Sequence, residues 1–142
     1  MRAGNRRAAE QALRQALRLR ENTFDVHFFL GAALEDRRAA AEEYRRALRL
    51  NPRHAEAHYN LALCLKALDE REQAVEELRD ALRYKPDLGT ARYELAALLA
   101  ELGRNDEALP YLEYLEQRGT LDGMTKELLK QVRSRAGAGP KR

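Results

Sequence analysis

The chain has little from which to build a β-sheet. Its 142 residues include three Val, four Thr and no Ile, whereas strands draw on β-branched and aromatic side chains. An α/β domain, a sandwich or a barrel is therefore not expected. Cysteine is almost absent. Cys64 stands alone, which excludes an internal disulfide and a Cys-based zinc site and fits a reducing compartment. Serine is as scarce, with Ser134 close to the end, so no serine nucleophile with a partnering base is apparent. No apolar run approaches the ~20 residues that span a bilayer. The start, Met1-Arg2-Ala3-Gly4-Asn5-Arg6-Arg7, has the charge of a secretory leader, but an amphipathic stretch follows it rather than an apolar one, so no leader is expected. A chain already trimmed of a leader or anchor would read the same. The expected location is cytoplasmic, with a periplasmic one open after such trimming.

Gly31, Gly89, Gly103, Gly119 and Gly123 are isolated, so no glycine-rich loop is there to cradle phosphates. The net charge of +3 conceals an uneven distribution. Residues 1–23 carry +4, residues 123–142 carry +5, and residues 24–122 carry −6. A nucleic-acid binder places its basic stripe on the folded surface. Here the basic charge sits at the ends, so nucleic acid is not the expected partner.

What is abundant is Ala and Leu, 24 of each, with Arg and Glu, all strong helix formers. They are arranged in repeats. Three segments share a Leu, a tiny residue directly after it, and a second Leu three positions beyond: Leu30-Gly31 with Leu34, Leu61-Ala62 with Leu65, and Leu95-Ala96 with Leu99. Each precedes a second amphipathic segment: Ala40, Tyr44 and Ala47; Ala74, Leu78 and Ala81; Ala108, Leu112 and Leu115. The last two copies stand 34 residues apart throughout, Leu61 to Leu95 and Ala74 to Ala108. Pro52 and Pro86 close the second segments, because proline cannot continue a helix interior.

This pattern resembles the tetratricopeptide repeat, whose signature is an aromatic, Leu-Gly, Tyr, Ala, a large apolar residue, Ala and Pro at fixed offsets. Residues 55–88 match nearly throughout, with His58 at the aromatic position. Residues 89–122 match with Leu115 in place of the last Ala and Thr120 where Pro would stand. Residues 24–54 form a shortened copy, with nine positions from Gly31 to Ala40 against twelve from Ala62 to Ala74. The three missing residues fall around Glu35–Arg38, so either the helices there are shorter or the turn is tighter. Residues 9–23 read as a half repeat lacking its first helix, 123–134 as a polar-faced capping helix, and 135–142 as a disordered tail.

The resemblance implies an all-α fold: one α-solenoid of stacked helix-turn-helix hairpins over residues 1–134, wound as a right-handed superhelix. Gly31, Ala62 and Ala96 would meet Ala40, Ala74 and Ala108 at close crossings, with Leu65, Leu78, Leu99 and Leu112 filling between hairpins. The implied partner groove takes Phe28, Phe29 and Ala32 from the first repeat, Tyr59, Asn60, Leu63 and Lys66 from the second, and Tyr93, Glu94, Ala97 and Glu101 from the third. Asn60 stands where a carboxylate-clamping member would use it, but Phe28, Ala32, Thr90 and Glu94 do not supply that clamp's cations.

Chemistry has few candidates. His54 and His58 are four apart, but Glu56 does not follow the first His as in zinc proteases, and no third ligand is evident, so no metal is expected. Cys64, between Leu63 and Leu65, reads as a small apolar residue. Glu42-Glu43 and Glu76-Glu77 read as solvated, ion-pairing helix faces. No enzyme activity and no cofactor are expected. The function implied is a non-catalytic scaffold or adaptor that binds a protein or peptide partner. The alternative is a structural module that homo-oligomerises through its terminal helices.

Overall fold

The computed structural model describes residues 3–137, which form eight helices and no strand among the described residues. The helices are α1 (Ala3–Arg18), α2 (Phe24–Ala33), α3 (Arg37–Leu50), α4 (Ala55–Ala67), α5 (Arg71–Tyr84), α6 (Gly89–Glu101), α7 (Asn105–Gln117) and α8 (Gly123–Arg135). They fall into two compact units. The first ends at Lys85 and the second starts at Pro86, the proline that closes the second repeat.

In the first unit, α2 pairs with α3 and α4 with α5 as antiparallel hairpins, α3 packs on α4, and α1 covers α2. The half repeat expected from residue 9 begins at Ala3, and none of its helix is buried. In the second unit α6 pairs with α7, and α8 packs on α7 through Leu129 and Val132. Its exposed positions are mostly polar, with Met124 as an apolar exception at 70% exposure. Residue 135, expected to open the tail, still belongs to α8, and the amide of Gly137 donates to Asp106 Oδ1 at 2.7 Å. Residues 138–142 lie outside the described residues.

The shortened repeat resolves in favour of a shorter helix. α2 has 10 residues where α4 and α6 have 13. The connection keeps its length but changes its geometry. After α4, Asp69 turns left-handed (φ 62°) and the amide of Glu70 donates to the Leu65 carbonyl. After α6, Gly103 (φ 74°) and the amide of Arg104 on Leu99 do the same. These are Schellman endings, in which one left-handed residue folds the chain back over the last carbonyls. After α2, Leu34 is extended instead, and the Asp36 carboxylate accepts from the Ala39 amide at 2.7 Å to start α3.

The two left-handed positions give a test. Asp69→Gly is expected to raise stability and Gly103→Ala to lower it, each by about 1 kcal/mol, because a Cβ is strained in that conformation. Nothing lies within 4 Å of a Cβ built on Gly103, so its cost is that of the backbone alone. The Asp69–Arg71 ion pair that the first change removes is exposed and worth little. Urea denaturation of both variants checks the opposite signs.

Ala40, Ala74, Ala108, Leu65, Leu78, Leu99 and Leu112 are all buried. At the first of these crossings Gly31 also faces an aromatic. A Cβ on Gly31 would meet the Tyr44 ring at 3.0 Å, so the tiny residue of the shortened hairpin makes room for an aromatic.

Candidate functional site

The residues at the start of each repeat are tied down by a recurring polar contact. His27 is buried on α2, with Nδ1 2.6 Å from Glu43 on α3 and Nε2 2.6 Å from Asn22 Oδ1. His58 on α4 repeats the arrangement: Nδ1 is 2.7 Å from Glu77 on α5 and Nε2 is 2.8 Å from the Pro52 carbonyl. Burial lowers the affinity of His58 for its proton. The Glu77 carboxylate, the Pro52 carbonyl and Asp80 outweigh that and hold its pKa above the ordinary value. In the second unit Arg92 stands at the same repeat position. It donates to the Pro86 carbonyl at 2.6 Å, and its guanidinium lies 3.7 Å from the centre of the Tyr114 ring, a cation–π contact.

This corrects the solvated reading of two carboxylates. Glu42 and Glu76 do pair with Arg45 and Arg79 on the surface, but Glu43 is buried and Glu77 turns to His58. His58 does fill the aromatic position, 5.6 Å from the Tyr84 ring, and is also a hydrogen-bonding hub. His54 is the N-cap of α4, its Nδ1 accepting from the Ala57 amide at 3.2 Å.

Against this frame α2 and α4 present the face expected to meet a partner. Phe28 is half-buried and packs with Phe24, Tyr44 and His54, ring centres 5.4, 5.8 and 5.2 Å away. Phe29 is 54% exposed and is the aromatic of this pair that offers its ring to solvent. Ala32 of α2 and Asn60 and Leu63 of α4 meet at one cavity of about 160 Å³. Tyr44 and Cys64 form part of its lining, and Arg6 of α1, Glu35 and Arg37 contribute charge. Burial, with Cys64 beside it, pushes the Tyr44 hydroxyl up to about 12, against the opposing pull of Arg37 and of a hydrogen bond with Asn60. Burial also raises the Cys64 thiol, which Arg37 partly offsets. Both groups are neutral at physiological pH.

The sequence matches known repeat families between residues 38 and 122. A family model described as TPR repeat matches residues 38–69, and one described as Tetratricopeptide repeat matches residues 65–122. The chain belongs to the tetratricopeptide repeat family. Solved structures agree on the fold. The crystal structure of MamA is similar with a TM-score of 0.74 at 21% identity, over 98% of this chain and 93% of that one. YrrB, titled a TPR protein with an unusual peptide-binding site, is similar with a TM-score of 0.79 at 20% identity, over 91% of this chain and 68% of that one. A mutant O-GlcNAc transferase from Thermobaculum terrenum reaches 0.70 at 27% identity, over 82% of this chain but 24% of the transferase. No curated protein matches the chain in sequence.

As a tetratricopeptide repeat protein the chain is a protein–protein interaction module. Its remaining expected contact residues divide between the units. Tyr59 and Lys66 are half-buried on α4, one helical face with Leu63 by spacing. In the second unit Tyr93, Glu94 and Ala97 are half-buried on α6 and Glu101 is exposed. No helix of the described residues is long and apolar enough to cross a membrane.

Arg6 and Arg37 are charged cavity residues that the sequence did not assign to the contact face. Arg37 opens α3, and the loss of one turn from α2 sets it beside Asn60 and Cys64. The shortened spacing was visible in the sequence, but the face it would expose was not.

Proposed function

We propose that the protein binds an extended or helical segment of a partner protein on the accessible faces of its first-position helices, without covalent chemistry. The observation that carries this reading is the cavity where Ala32, Asn60 and Leu63 converge. Its exposed lining is more polar than apolar, with Arg37 and Asn60 placed to orient a ligand beside the apolar Ala32 and Leu63. Arg37 in its lining favours a partner segment with an acidic group there, while Arg6 is paired with Glu35 at 3.9 Å, and Phe29 supplies an exposed aromatic anchor on the same helix as Ala32, of the kind that carries interface energy. The Asn60 amide, hydrogen-bonded to the neutral Tyr44 hydroxyl, adds hydrogen-bonding capacity.

Selection of a random displayed-peptide library on the full chain, followed by fluorescence anisotropy of the selected peptides, tests it. Arg37→Ala and Leu63→Arg are expected to weaken binding at least about tenfold, while Glu76→Ala, on another surface, leaves it unchanged. Circular dichroism shows whether each variant keeps its helices. Peptides that bind Leu63→Arg and Arg37→Ala as tightly as the wild type would remove this face from the account.

A further inference from the structure

The hairpin of α4 and α5 brings together three side chains that the interaction face does not use. His58 Nδ1 and the carboxylates of Glu77 and Asp80 lie with their ligand atoms within 4.8 Å of one another. We propose that this cluster is a binding site for a divalent transition-metal ion of the zinc type, held by His58 Nδ1, Glu77 and Asp80.

Three features support it. First, the donors come from two helices that form one hairpin, so their spacing is fixed by packing. Glu77 and Asp80 are three apart on α5 and share a face. Second, the other ring nitrogen of His58 is already engaged, because Nε2 donates to the Pro52 carbonyl at 2.8 Å. That bond fixes the ring orientation and leaves Nδ1 as the nitrogen that faces the carboxylates, the outer-shell arrangement that orients metal-binding imidazoles. A metal ion would take the place of the proton that now bridges Nδ1 and Glu77 across 2.7 Å. Third, the cluster is graded in burial. His58 is buried, while the side chains of Glu77 and Asp80 are 26% and 33% exposed. Water can therefore complete the coordination from the open side.

The ligand set of one imidazole and two carboxylates suits zinc and its neighbours. Magnesium and calcium, which take oxygen ligands, have fewer suitable donors here. Asp80 is paired with Arg83 at 3.1 Å, an exposed contact at modest cost to rearrange. His54, four residues from His58 in the sequence, does not join the set, because its Nδ1 accepts from the Ala57 amide as the N-cap of α4. The two carboxylates lie nineteen and twenty-two positions from His58 in the chain.

Isothermal titration of the full chain with zinc chloride tests the proposal. The expected result is saturable binding of one ion, weakened at least about tenfold by each of His58→Gln and Asp80→Asn, with no binding of magnesium under the same conditions. Loss of the His58–Glu77 contact could disturb the hairpin, so circular dichroism accompanies both variants. If His58→Gln unfolds, Asp80→Asn, at a part-exposed carboxylate, decides alone. Absence of saturable zinc binding to the wild type, or zinc binding that Asp80→Asn leaves unchanged, overturns it.

Discussion

Leu78→Ala is expected to lower stability by about 2–5 kcal/mol, the range for deleting a fully buried leucine and leaving a cavity. Leu78 is 1% exposed at the middle of α5, where the hairpin with α4 closes. Such a loss takes a large share of the roughly 5–15 kcal/mol that holds an ordinary domain together. The comparison that makes the test specific is Leu63→Ala. Leu63 is one helix away but half-buried at the cavity, so its truncation should cost about 1 kcal/mol or less, since most of the transfer energy was never gained. Urea denaturation followed by circular dichroism measures both. Hydrogen exchange then shows whether the loss is concentrated in α3, α4 and α5, as nearest-neighbour coupling of stacked hairpins requires. Equal costs at the two leucines would mean that burial does not rank these positions.

Pro110→Ala is expected to raise stability by about 2 kcal/mol. Pro110 lies inside α7, at an exposed position, six residues into the helix. Proline there has no amide to donate to the carbonyl of Asp106 four residues before it, and its ring crowds that carbonyl, at a cost of about 3 kcal/mol relative to alanine. Part of this is returned because proline also restricts the unfolded chain, by about 0.4–1 kcal/mol. Because the side chain faces solvent, its removal sacrifices little packing. Thermal and urea unfolding of the variant measure the gain. A variant less stable than the wild type would show that the pyrrolidine ring makes a contact worth more than the helical hydrogen bond it prevents.

The repeats were legible because each is a local pattern. The spacing of Leu61, Ala62, Leu65, Ala74, Leu78 and Ala81 is set by helix periodicity and by which side of each helix is buried, and both are recorded along a single stretch of chain. The closing prolines and the left-handed position filled by Gly103 are likewise local. The candidate contact face was legible in part. Ala32, Asn60 and Leu63 do converge, but Phe28 is drawn into the packing with Phe24, Tyr44 and His54. An aromatic on a groove-facing position packs wherever neighbouring rings come within reach, and that depends on the angle between hairpins.

Other features required two helices at once. The pairing of His58 with Glu77 joins residues far apart in the chain, and each alone reads as something ordinary, an aromatic substitute and a surface carboxylate. The three-residue deficit could be counted in the sequence. Whether it shortened α2 or tightened the turn depended on which hydrogen bonds the ends of α2 and α3 could still satisfy, and Asp36, as N-cap of α3, favours the shorter helix.

Residue order along this chain thus specifies an all-helical array, its period and most of its buried positions, because helix periodicity and burial act over neighbouring residues. The packing of one helix on another selects what the polar side chains do. It places Arg6 and Arg37 at the Asn60 cavity and gathers His58, Glu77 and Asp80 at one point, since a cavity and a cluster of donors are properties of the space between elements.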